Sequence, residues 1–249
     1  MTPKRVVVGF HAVMGRLRAD PKSINEILLD GKRADPRAQG LIDVAKERGV
    51  RLLRVDEQRL AGLASAAHHQ GVVAIVDAQT SQESLEDLLD RIGVPPVLLV
   101  LDGVTDPRNL GACLRVADAA GVHAVIVPRD RAAGINATVS KVASGAAETL
   151  PYYMVTNLAR TLDDLKDRNI WIVGTDAEAA SDLYKAELPE SIAWVLGAEG
   201  EGMRRLTRER CDLLVRIPML GQVQSLNVSV AAGVCLFESV RRRPASLED

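Results

Sequence analysis

The chain has 249 residues, enough for one large domain or two small ones, and 47% of them are hydrophobic, so a substantial core is available. Its formal net charge of −2 does not advertise a nucleic-acid partner, and no apolar run approaches the roughly 20 residues of a membrane helix. Three cysteines, Cys113, Cys211 and Cys235, are odd in number and far apart, which excludes a disulfide framework and a cysteine metal site and points to a reducing cytoplasm.

The opening MTPKRVVVGFHAV has too short an apolar run and too early a polar break for a secretory signal. Val6-Val7-Val8 predicts a first strand, 12–18 a helix, and Ile27-Leu28-Leu29 a second strand. Lys32, Arg33 and Arg37 then fall in a loop marked by Gly, Asp and Pro. A helix over 41–48 ends at Gly49. Strand 51–55, helix 57–64 and strand 72–76 complete a small α/β module. Residues 1–77 carry 13 Lys/Arg against 9 Asp/Glu, a balance of +4, whereas 78–95 and 96–249 are each −3. That asymmetry hints at a polyanion partner for the first module, with Lys32, Arg33, Arg37 and the stretch His68-His69-Gln70-Gly71 as candidate RNA contacts. A solvated basic surface accounts for +4 nearly as well. No histidine pattern suggests a metal, and none is expected.

Residues 78–95 read as a linker, with a short acidic helix over 81–89 and a break at Gly93-Val94-Pro95-Pro96. The second domain, 96–243, opens with VLLVL at 97–101, a strand of the kind buried in a parallel sheet, and a short tail, 244–249, follows it. A polar loop over 102–109 leads to a helix ending near Ala120. Further strands are expected at 124–127, 171–174, 193–196 and 213–217, with helical stretches at 138–149 and 158–168. The repeated order predicts an open parallel sheet whose ligand lies beyond the strands' carboxyl ends, where loops 102–109, 197–203 and 219–227 fall. No GxGxxG follows the first strand of either domain and no GxxxxGK[ST] occurs, which argues against dinucleotide and P-loop enzymes. Gly197 to Gly202 has the glycines of a phosphate cradle, but Glu199 and Glu201 within it argue against an anion. After Ile217-Pro218, Ser225 stands where a helix N-cap should be, ahead of a run of small and apolar residues that predicts a helix buried most of the way round. Capping and close packing explain Ser225, Asn227 and Ser229 as readily as a site does.

Three stretches stand in order: DGVTDPRNLGACLRVADAAG at 102–121, WVLGAEGEGM at 194–203 and IPMLGQVQSLNVSVAAGVCLFE at 217–238. Together they resemble the three motifs of the SpoU (TrmH-like) class of SPOUT RNA 2′-O-ribose methyltransferases, a resemblance that covers residues 97–240. GFHAV and HQGVVAIV in the first module look like the substrate-recognition domain of this class. With the chain length, they narrow the resemblance to the branch that methylates a guanosine of 23S rRNA in the peptidyl-transferase P-loop.

The resemblance implies an α/β trefoil-knot domain preceded by a small α/β RNA-recognition domain, S-adenosyl-L-methionine as cofactor, and a homodimer with a shared active site. It places cofactor contacts at Gly197, Ile217 and Leu226, with Met219, Gly174 and Thr175 nearby. It makes Asn109, Arg115, Glu199, Ser225 and Asn227 the catalytic set, and Arg108 a further RNA contact. Arginine is almost never neutral, so Arg115 reads better as a phosphate grip and charge stabiliser than as the base. Methyl transfer by in-line displacement needs positioning and no metal. Three rivals stay open: the same chemistry on tRNA, a resistance methyltransferase acting on another rRNA nucleotide, and a silent RNA-binding or assembly factor that keeps the fold.

Overall fold

The computed structural model describes residues 4–64, 69–77 and 83–243. His68, the stretch 78–82 of the expected linker and the tail 244–249 lie outside the described residues. The chain divides into two compact units, one of Met1–Glu83 with Ser140–Thr149, the other of Ser84–Val139 with Leu150–Asp249.

The first unit is built from β1 (Lys4–Val8), α1 (Phe10–Ala19), β2 (Ile24–Asp30), α2 (Pro36–Glu47), β3 (Leu52–Val55), α3 (Glu57–Ala64) and β4 (Val72–Asp77). Its sheet runs β1-β4-β2-β3, with β4 antiparallel to both neighbours and β2 parallel to β3. Central β4 is the most apolar strand, and Val72, Val73 and Ala74 are fully buried. Leu17 from α1 and Leu41 from α2 close one face over Ile27 and Leu29, while Leu60 of α3 covers Leu28 and Val73 on the other.

The second unit contains α4 (Leu85–Arg91), β5 (Val97–Asp102), α5 (Pro107–Ala119) and β6 (Ala124–Pro128). After α6 (Ala137–Ala143) and α7 (Ala146–Thr149), whose residues from Ser140 onward belong to the first unit, come β7 (Tyr152–Val155), α8 (Leu158–Asp167), β8 (Trp171–Thr175) and β9 (Ser181–Asp182) of the second. β10 (Ile192–Gly197), α9 (Arg205–Glu209), β11 (Leu213–Arg216) and α10 (Val228–Arg242) complete the chain. The seven strands are all parallel, in the order β7-β6-β5-β10-β8-β11-β9. Every residue of β5 and β6 is buried, which is why these segments are continuous apolar runs rather than alternating ones.

Side chains alternate across this sheet. Leu98, Val100, Ala193 and Val195 meet Leu158, Leu162 and Leu165 of α8 and Leu88 of α4. So α4, read from sequence as part of a linker, docks its apolar side within the second unit. On the other face, α10 packs along α5 and β10. The buried Trp194 indole there donates to Ser239 Oγ at 2.8 Å.

Three expectations are corrected. The single helix expected over 138–149 is two, because Ser144 and Gly145 take φ values of 53° and 103° between them. Asn227, not Ser225, caps α10: its side chain accepts from Ser229 N, and Ser225 lies exposed in the preceding loop. Nor is α10 buried all round, since Val230, Phe237 and Val240 are 51%, 48% and 40% exposed. Strand β7 was not expected at all; Pro151 and the flanking polar residues hide a four-residue element.

Candidate active site

The order of strands reverses between β5 and β10. From β5 the chain steps outward to β6 and β7; from β10 the sheet continues through β8 and β11. At such a switch point the loops leaving adjacent strands diverge and leave a crevice. Here Asp102 and Gly197 are register partners at the two carboxyl ends. The loops that follow them wall a cavity of about 560 Å³, with Asn109, Glu199, Arg131 and Val228 among its lining.

Two arrangements shape it. The first is an ion pair under the floor. The Asp102 carboxylate has no exposed surface and accepts from Arg204 N at 2.9 Å and from Arg204 Nε at 2.6 Å. A buried carboxylate with these charge-assisted donors fixes the loop after β10 against the end of β5. The turn itself depends on Gly197: a Cβ there would sit 2.0 Å from the Gly202 carbonyl carbon, and Ala198 and Gly202 exchange backbone hydrogen bonds of 3.1 and 2.9 Å.

The second is a directional chain of side-chain hydrogen bonds. Asn227 Oδ1 accepts from Ser229 N at 3.0 Å and from Ser229 Oγ at 2.7 Å. That fixes which end of the amide is oxygen, so its Nδ2 donates to Asn109 Oδ1 at 3.0 Å. Asn109 is oriented in turn, and its Nδ2 reaches Glu199 Oε2 at 3.4 Å. One residue from each of the three sequence motifs is thereby joined, in the order third, first, second. The chain ends on a carboxylate that is exposed and accepts only.

Local structure explains the placement. Asp106 caps α5 by accepting from Arg108 N, and Pro107 occupies the first turn, so Asn109 stands in that turn facing the crevice. Leu110, Cys113, Leu114 and Ala117 form the buried stripe of α5. Arg115 lies off that stripe. It is exposed, no side chain pairs with it among the described residues, and it does not line the cavity. Of the five expected catalytic residues, the chain brings together Asn109, Glu199 and Asn227, and leaves Arg115 and Ser225 apart from them.

The expected cofactor residues lie outside the cavity lining as well. Gly174 is buried, and a Cβ there would meet Cys211 Sγ, Met203 Cε and Leu214 Cδ2 at 2.7–2.9 Å, so close packing needs its smallness. Thr175 Oγ1 donates to Val195 O at 3.5 Å. Ile217, Met219 and Leu226 are half-buried in the loop between β11 and α10. From 217 to 226 no backbone N–H or carbonyl pairs with another backbone group among the described residues. An adenosine read by backbone amides needs such open groups, so the loop fits the cofactor that the resemblance implies.

In the first unit, Lys32 and Arg37 are exposed. Arg33 is engaged within the chain: its guanidinium pairs with Asp35 at 2.6 Å, donates to Gln70 O and lies 4.8 Å over the Phe10 ring. That pairing holds the Asp35 carboxyl below its ordinary range. Arg108 is exposed on α5. Asp102 and Arg204 escaped the sequence reading. An Asp closing the fully apolar strand VLLVLD was the available signal, since a carboxylate there needs a buried cationic partner. Among the described residues no group of three or more His, Cys, Asp or Glu is placed to hold a metal ion, and no helix is long and apolar enough to cross a membrane.

Residues 96–237 match the SpoU rRNA Methylase family, and residues 6–82 match the RNA 2′-O ribose methyltransferase substrate binding domain. The chain belongs to the SpoU rRNA methylase family. The 23S rRNA (guanosine-2′-O-)-methyltransferase RlmB of Ralstonia nicotianae is 60% identical, over 98% of each chain. An RNA 2′-O ribose methyltransferase of known structure is 30% identical, with a TM-score of 0.76 over 96% of this chain and 88% of that one. The SpoU methyltransferase AviRb from Streptomyces viridochromogenes, solved with AdoMet, is 25% identical, with a TM-score of 0.78 over 96% and 90%. The likeness to SpoU methyltransferases thus extends over both units of this chain.

Proposed function

We propose that this chain is an S-adenosyl-L-methionine-dependent enzyme that methylates the ribose 2′-OH of a guanosine in 23S rRNA, in the peptidyl-transferase P-loop, and that it works as a homodimer. The observation that carries the reading is the chain Asn227 to Asn109 to Glu199 at the switch point. It gives the three motifs of the family a common geometric purpose, which is to hold one carboxylate in one orientation at the mouth of a crevice. The substrate-binding domain at 6–82 favours rRNA over tRNA, since a TrmH/SpoU tRNA modifying enzyme of known structure matches only 60% of this chain.

The residues divide the work as follows. The loop of Ile217, Met219 and Leu226, with Gly197, holds the cofactor through backbone groups; when bound, it supplies a methyl carbon already activated by a sulfonium. Glu199 accepts a hydrogen bond from the ribose and so orients it, while Asn109 holds the other carboxylate oxygen and Asn227 holds Asn109. Arg115 grips an RNA phosphate and stabilises negative charge as it develops on the ribose oxygen. The proton leaves to a phosphate oxygen or to water. Lys32, Arg37 and Arg108 are the exposed cations proposed to bind the RNA backbone.

Two features support the dimer. Arg115 neither lines the cavity nor bonds to the other proposed catalytic residues among the described residues, as a site completed by a second copy requires. Val230, Phe237 and Val240 expose an apolar stripe on α10 that a second copy would cover.

The test is tritiated methyl transfer from S-adenosyl-L-methionine to unmodified 23S rRNA and to bulk tRNA, with the modified nucleotide mapped. Label in a P-loop guanosine ribose is expected. Label in tRNA alone would reassign the substrate and keep the chemistry. Cofactor binding with no transfer to either would favour the silent factor.

A further inference from the structure

We propose that Arg131 grips a backbone phosphate of the substrate RNA at the mouth of the switch-point cavity, and so sets how the ribose is presented to Asn109 and Glu199. This rests on the methyltransferase reading and extends it to a residue outside all three motifs.

The first argument is charge. The cavity is lined by the acidic residues Asp106, Glu199 and Glu201, and by two cations, Arg131 and Arg204, with the Asp102 carboxylate buried beneath them. Arg204 is committed: it pairs with Asp102 at 2.6 Å and with Asp130 at 3.3 Å. Arg131 is exposed, and among the described residues no acceptor engages its guanidinium. A polyanion that must approach Glu199, Glu201 and Asp106 meets like charge unless a cation faces it, and Arg131 is the cation available. Its planar fork suits a phosphate in a way an ammonium does not.

The second argument is that the loop carrying Arg131 is pinned from several sides. Asp130 is held by Arg204 at 3.3 Å. Ala133 N donates to Val104 O at 3.0 Å, tying the loop to the one that leads into Asn109. Tyr152 Oη donates to Ala133 O at 2.7 Å from a buried position. Within these ties Arg131 takes a φ of 55°, in the left-handed region where a side chain is disfavoured and glycine is not. An arginine is kept where the backbone prefers glycine, and it faces the cavity. Strain of this kind collects where a side chain is needed for function.

The experiment uses the full chain. Binding to a labelled 23S rRNA fragment that contains the target loop is measured across salt concentrations, alongside methyl transfer to the same RNA and thermal melting. Variants are Arg131→Ala, Arg131→Lys and Arg131→Gly. Loss of one phosphate contact should shallow the plot of log affinity against log salt by about 0.7 for single-stranded RNA. Arg131→Ala and Arg131→Gly are expected to show this and to raise KM for RNA several-fold with little change in kcat. Arg131→Lys should restore the salt slope but not the full affinity. Arg131→Gly should melt at the wild-type temperature or above it, because the left-handed backbone is relieved, which separates lost binding from lost structure. Wild-type salt slope and KM in both truncated variants would overturn the proposal. If instead the wild-type protein binds the fragment and transfers no methyl group, the methyltransferase reading fails while the slopes still decide on Arg131.

Discussion

Asn227 does two jobs with one amide, and they can be separated. Its oxygen caps α10 and its nitrogen holds Asn109. Asn227→Asp keeps the cap acceptor and removes the donor, leaving two oxygens facing each other across 3.0 Å unless Asn109 turns over and releases Glu199. The expected result is near-wild-type stability with methyl transfer lowered on the order of 10²-fold, the scale of losing one oriented polar group at a reacting centre. Asn227→Ala should lower transfer similarly and also cost about 1 kcal/mol of stability through the lost cap. An Asn227→Asp enzyme with full rate would remove the hydrogen-bond chain from the mechanism. Arg115→Lys asks a parallel question: charge without the guanidinium fork should leave a much slower enzyme, and near-full rate would trouble both roles considered for that arginine.

Among elements, α10 shows best what a sequence can and cannot disclose. The motif over 217–238 supplies Asn227 to the hydrogen-bond chain, yet the helix begins two residues later than a Ser225 cap would place it and exposes an apolar stripe. Hydroxyl and amide residues at 225, 227 and 229 all make acceptable caps, and only the position of Asn109, 118 residues away, decides between them. Apolar periodicity likewise cannot say whether a face is covered by the same chain or by another. The parallel sheet was legible because buried strands such as VLLVL carry no alternation; β7, four residues long beside a proline, carried too little pattern to be seen. The far end of α10 is held by charge. Glu238, with 4% of its side chain exposed, is bonded by Arg241 at 2.8 Å and Arg242 at 2.6 Å. The Arg241 bond above all holds its carboxyl down at about 2. A carboxyl whose folded value is depressed adds stability that is full above its ordinary range and is lost as pH falls. The melting advantage of wild type over Glu238→Gln should therefore persist at neutral pH and shrink between about 4.5 and 2. An advantage that does not change across that window would show that the arginines contribute packing alone. Ser239→Ala on the same helix would strand the buried Trp194 N–H and should cost about 1–3 kcal/mol in denaturant unfolding.

For the whole molecule the question is where one active site ends and the next begins. Within one chain Glu199 is held by Asn109, and Asn109 by Asn227, but Arg115 is not among the residues that line the cavity beside Glu199. If the α10 stripe pairs two copies, Arg115 of one copy serves Glu199 of the other. That arrangement has a consequence a self-contained site lacks. Arg115→Ala and Glu199→Gln homodimers should each be nearly inactive. A heterodimer of the two would contain one site with both residues intact and one with neither. Random exchange makes half the dimers mixed, each with one working site of two, so an equal mixture should recover about one quarter of wild-type transfer. Recovery should track the fraction of heterodimer measured by mass spectrometry. A monomer by light scattering at working concentration would remove the basis for exchange. Dimers that exchange fully with no recovered activity would place both residues in the same chain's site and oblige α5 to reorient when RNA binds.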